Sequence, residues 1–156
     1  MIIFKPSAEI KKRFKDIDFK SLSMVYSLLL SSVEKGKKKQ SKIYTINLYY
    51  SKKTSSYYYF KRDHITFGSD VQTTRAFHVS LLHEFRHFCQ DRCLKIPFTV
   101  KNYNDATYST YMNSPIEIDA NNYTTNNIAR VMQYYKRIVS LRNKFAEFSD
   151  YTGNKV

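Results

Sequence analysis

Apolar and polar positions along this chain fall into two periods, and their order sketches the architecture. Ser7 can cap a short helix running to about Phe14, and Leu22, Val25, Tyr26, Leu29 and Val33 then recur at helical spacing over about residues 19–33. Residues 1–40 therefore read as a helical segment. From Ile43 to Tyr50 the period changes to the alternation of a half-buried strand. Tyr57 to Lys61 is a second strand-favouring run, and the polar stretch Ser51–Ser56 between them predicts a hairpin. Asp63 turns the chain into a third short strand, His64 to Phe67, closed by Gly68.

Thr73 or Thr74 then caps a helix that ends before Pro97, and residues 97–113 form a polar connection without a clear period. Ser114, Pro115 and Glu117 stand at the N-cap, N1 and N3 positions of a last helix, which is expected to reach about Phe148 with a break near Asn126-Asn127. The expectation is an α+β fold with a small twisted sheet of about three strands. It forms one domain over residues 1–156, since no repeat or linker divides the chain.

The helix after Thr74 carries the one stretch that states a chemistry. Residues 83–87 read His-Glu-Phe-Arg-His, an HExxH pentapeptide. Residues four apart share a helix face, so His83 and His87 can offer two imidazole nitrogens to one metal ion. Glu84, turned about 100° round the axis, can reach a water bound there and act as general base. The helical phase puts Val79, Ser80, His87, Gln90 and Asp91 on the metal side, and Leu81, Phe85, Phe88 and Cys89 on a core-facing side. His78 lies away from the ligands and reads as a hydrogen-bonded packing histidine.

A hydrolytic zinc site has three protein ligands and a fourth position left for water or substrate. No histidine follows His87, and the chain has five glutamates, one of them Glu117 at the start of the last helix. Glu117 is the leading third ligand, with Asp119 and Asp91 as alternatives. Asn121, four residues on from Glu117, shares its face and can accept a hydrogen bond from a ligand histidine. Asp119 sits about 200° round from Glu117 and is expected to face elsewhere.

Glu117-Ile-Asp-Ala-Asn121 after HExxH resembles the two-motif pattern of gluzincin metallopeptidases, and most nearly the minimal-zincin, ImmA/IrrE-like group. The likeness spans about residues 43–130. It implies a zincin-like metallopeptidase domain, with the sheet packed on the HExxH helix and the glutamate-bearing helix. It also implies zinc held by His83, His87 and Glu117, with Glu84 as catalytic base, Asn121 as supporting partner and a protein or peptide as substrate. Asn121 stands where a more acidic residue is common. The strand before the metal helix, His64 to Phe67, would be the edge that pairs with substrate. Tyr103, Tyr108, Tyr111 and Tyr123 are the candidates for an oxyanion donor.

Composition adds less. The net charge is +13, from 26 basic and 13 acidic residues, which favours an anionic partner such as nucleic acid. A basic nucleic-acid-binding or virion-associated protein with a structural or vestigial zinc site is accordingly the competing function. The abundance of Lys, Asn, Ile and Tyr also follows from AT-rich codons, which points to an AT-rich bacterium, a phage or another virus and weakens the charge argument. Lys35 to Lys39 reads as a solvated loop, and Tyr57 to Tyr59 read as half-buried sheet residues before they read as a base-stacking platform. Cys89 and Cys93 are too few and too close for a secreted disulfide framework. No apolar run is long enough to span a bilayer, so a cytoplasmic protein is expected.

Overall fold

The structure, a computed structural model, describes residues 1–34, 42–59, 62–94, 96 and 112–153. The elements in chain order are β1 (Ile2–Pro6), α1 (Ala8–Arg13), α2 (Phe19–Val33), β2 (Tyr44–Tyr50), β3 (Tyr57–Tyr59), β4 (His64–Phe67), α3 (Thr74–Cys89) and α4 (Pro115–Gly153), with a π-helical turn, Gln90–Leu94, extending α3. The class is α+β. The sheet has four strands in the order β1-β2-β4-β3, with β1, β2 and β4 parallel and β3 antiparallel on β4.

Residues 1–40 do not begin as a helical segment, because Ile2–Pro6 forms β1. Its inward Ile2 and Phe4 alternate with Ile3 and Lys5 over too few residues to reveal a period, and its pairing partner, Tyr44–Leu48, is distant in sequence. The predicted hairpin of β2 with β3 does not form, since β4 lies between them and the antiparallel pair is β3 with β4. His64–Phe67 is therefore an interior strand, and the edge beside the metal helix is β3. The break expected near Asn126-Asn127 is absent: α4 runs unbroken from Pro115 to Gly153, and Asn127 Nδ2 donates back to the Tyr123 carbonyl at 2.7 Å. Lys35 to Lys39 and Tyr103, Tyr108 and Tyr111 lie outside the described residues.

Caps set the helix starts. Ser7, Asp18 and Thr73 each accept from a backbone N–H in the first turn of the helix they precede. Aromatic rings join the layers: Tyr26 of α2 meets Phe4 of β1 at 5.1 Å and Phe85 of α3 at 4.8 Å, both edge to face. Phe77 of α3 stacks on Phe67 of β4 at 4.5 Å and touches Phe14 after α1 at 4.7 Å. The helices thus gather on the sheet face that carries Ile46, Leu48 and Ile65, all fully buried. On β1, Ser27 and Ser23 of α2 accept from the N–H groups of Ile2 (2.8 Å) and Phe4 (3.0 Å), which blunts that sheet edge. A Cβ at Gly68 would run into the Thr54 carbonyl oxygen, so the β2–β3 connection passes over β4 only because that residue is glycine. Among the described residues no helix is long and apolar enough to cross a membrane.

Candidate metal centre

α3 reaches the centre of the molecule as a helix with two working faces. Leu81, Phe85, Phe88 and Cys89 are buried in the core, as the helical phase predicts, and Phe77 joins them. That packing fixes the rotation of the helix and turns His83 and His87 toward the first turn of α4. There Ser114 Oγ accepts the Glu117 N–H at 3.4 Å, while the Glu117 carboxylate points at the histidines.

The three side chains converge. His83 Nε2 lies 3.1 Å from Glu117 Oε2, His87 Nε2 lies 3.1 Å from Glu117 Oε1, and the two Nε2 atoms are 3.1 Å apart. Among the described residues this is the one group of three or more His, Cys, Asp or Glu side chains close enough to hold a metal ion. Tetrahedral ligands at the usual zinc distances stand about 3.4 Å apart, so the observed spacing is close to what such an ion requires. Two imidazole nitrogens and a carboxylate also form a donor set that suits zinc. The alternatives to Glu117 are engaged elsewhere: Asp91 accepts from the Tyr58 hydroxyl at 3.0 Å, and Asp119 pairs with Arg86.

Glu84 is 5 % exposed and stands beside the ligands without joining them. Burial pushes its carboxyl up from the ordinary range, against the opposing pull of His87, His83 and the Tyr58 backbone N–H. That N–H belongs to β3, so the edge strand and the prospective base are directly linked. Burial alone would depress His87. The Glu117 hydrogen bond and the Glu84 and Glu117 charges outweigh it and raise the imidazole above its usual value.

A supporting network appears that the sequence did not assign. His87 Nδ1 lies 2.8 Å from Gln90 Oε1, so an Nδ1–H donated to Gln90 leaves the Nε2 lone pair facing the ligand cluster. Gln90 Nε2 in turn donates to the Ile116 carbonyl (3.0 Å) and to Asp119 Oδ2 (2.7 Å). Arg86 closes the chain with two hydrogen bonds to Asp119, at 2.7 and 3.1 Å, while its guanidinium lies over the Tyr123 ring. Burial would raise the Asp119 carboxyl, but Arg86 and Gln90 hold it below the usual range.

Asp119, expected to face elsewhere, is thus part of the network. The 200° offset was correct for its own helix but ignored what Arg86 and Gln90 present from α3. Asn121, expected in this supporting role, is exposed, and none of the hydrogen bonds found among the described residues involves it. The one sequence signal for Gln90 was its position on the metal side of the helix. The Tyr123 ring lies against the Arg86 guanidinium, 4.7 Å from its centre, and burial raises the hydroxyl from its ordinary range. His78 is fully buried against Tyr135, with ring centroids 4.9 Å apart. It packs as expected, yet neither ring nitrogen has a hydrogen-bond partner among the described residues.

No protein-family model, curated protein or solved structure matches this chain.

Proposed function

We propose that this protein is a zinc-dependent metallopeptidase of zincin-like architecture that hydrolyses peptide bonds. The observation that carries the reading is the convergence of His83, His87 and Glu117 next to Glu84, a buried carboxylate outside the ligand set. A structural zinc takes four protein ligands and needs no adjacent base, whereas three ligands and a free carboxylate are the complement of a hydrolytic site.

His83, His87 and Glu117 would hold the ion, which when bound supplies Lewis-acid polarisation and brings a water's pKa toward neutrality. Glu84 takes the proton as that water attacks the peptide carbonyl and returns it to the leaving amine. Its burial suits the first half of the task, because a carboxylate whose pKa is raised from the ordinary range is a stronger base toward that water. Gln90 keeps His87 in the tautomer that binds through Nε2. β3, at the sheet edge and joined to Glu84 through Tyr58, is the strand on which an extended peptide would lie. The buried thiols of Cys89 and Cys93, not joined in a disulfide, fit a cytoplasmic location.

A screen for newly formed protein N-termini in a lysate tests this reading. The protein is added as purified, after chelation, and after chelation with zinc restored. Cleavage sites that vanish on chelation and return with zinc support it; an unchanged N-terminal profile in all three samples refutes it.

A further inference from the structure

We propose that the face of the sheet opposite α2 and α3, where Tyr49, Tyr57 and Tyr59 surround His64 and Thr66, is a stacking platform for single-stranded nucleic acid. This goes beyond the metal centre, because it uses the opposite side of the sheet from α3. The register defines the surface. Lys5, Asn47, His64 and Tyr59 line up across the four strands in one row, and Tyr49, Thr66 and Tyr57 in the next. These residues alternate with the inward Phe4, Leu48, Ile65 and Tyr58, so they share the outward face.

The rings on this face are presented to solvent. Tyr49, Tyr57 and Tyr59 are 46 %, 37 % and 43 % exposed, whereas Thr66 between them is only 5 % exposed and forms the floor. His64 holds two of the tyrosines: its ring centroid is 4.9 Å from Tyr59 and 5.5 Å from Tyr49. Tyr49, His64 and Tyr59 thus form one run of ring contacts, with Tyr57 beside it across Thr66.

Cations flank the first row. The Arg62 guanidinium lies 5.1 Å from the centre of the Tyr59 ring, and Lys5 ends that row. Neither row contains a carboxylate, and the nearby Asp63 is paired with Arg92 at 2.8 Å. Exposed aromatic faces interleaved with Lys and Arg match the two needs of a single strand, stacking for its bases and charge for its backbone. A duplex offers no free base faces to such a surface.

The test is fluorescence anisotropy of labelled twenty-nucleotide oligothymidine, oligouridine and a blunt duplex of equal length. Wild type is compared with Tyr49→Ser/Tyr59→Ser and Tyr49→Phe/Tyr59→Phe, after circular dichroism shows that each is folded. The proposal expects wild type to prefer a single strand to the duplex. The serine variant should weaken single-strand binding roughly tenfold or more, and the phenylalanine variant should stay within about twofold of wild type. Equal affinity for duplex and single strand, serine and wild-type proteins binding alike, or no binding by wild type at low salt would each overturn it. A serine variant that instead loses capture of a protein, with no oligonucleotide binding by wild type, would also overturn it and assign the face to protein recognition.

Discussion

Gln90 Oε1 stands 2.8 Å from Nδ1 of His87, and the same amide donates to the Ile116 carbonyl one residue before Glu117. One side chain therefore connects the two helices that carry the prospective ligands. It sits where α3 passes into its π-helical turn, a local change of helical pitch found often at functional sites. Replacing Gln90 with Leu keeps a side chain of similar size but removes all three of its hydrogen bonds, to His87, the Ile116 carbonyl and Asp119. Zinc affinity, measured by competition with a chromophoric chelator, should fall about 10- to 100-fold. Gln90→Glu retains an acceptor for His87 and should lose less. Equal affinity in wild type and Gln90→Leu would remove the positioning role.

His78 gives a pH dependence of stability that is independent of the ligands. Burial depresses its pKa from 6.5 to about 4, so folding favours the neutral ring. In the unfolded chain the histidine takes up its proton below about pH 6.5, whereas the folded state resists protonation until about pH 4. Stability is consequently lost as the pH falls through that window, by up to about 3 kcal/mol. His78→Phe, placed against Tyr135, should flatten this part of the curve. Denaturant titrations of both proteins at several pH values between 4 and 7 give the difference directly. Parallel curves would show that His78 is not the source.

α4 is fastened to the start of α2 by a separate polar cluster. The Asp18 N–H donates to Tyr135 Oη at 2.8 Å, and Arg142 contacts both the Asp18 carboxylate and, at 3.2 Å, Ser21 Oγ. Tyr135→Phe leaves the buried ring in place and removes only the acceptor. It should cost about 1 kcal/mol, read as a lower urea midpoint with an unchanged slope. No shift in the midpoint would mean that water replaces the hydroxyl at no cost.

The extent to which the sequence foretold this molecule follows the range of each interaction. α2, β4 and the Ser114-Pro115 helix start fall where the period and caps place them, since those signals lie within a few residues. His83, His87 and Glu117 were legible because a helix fixes the first two and the third stands at a marked helix start. β1 was not legible, because its partner is nearly forty residues away and its own alternation is too short to register. The insertion of β4 between β2 and β3 was likewise hidden, as a polar turn between two strand-like runs looks the same in a hairpin and in a crossover. Asn121 was named as the supporting partner because it shares a helix face with Glu117, and Gln90 was read only as a residue on the metal side of its helix. The contacts that decide the question run between α3 and α4.

The central claim is that Glu84 serves the bound ion as a base and does not hold it. Zinc content and peptide hydrolysis measured on one preparation of Glu84→Gln test this most directly. The predicted result is one zinc per chain, as in wild type, with hydrolysis reduced about 10²- to 10⁴-fold. Hydrolysis at the wild-type rate, or loss of the metal with Glu84, would contradict the account.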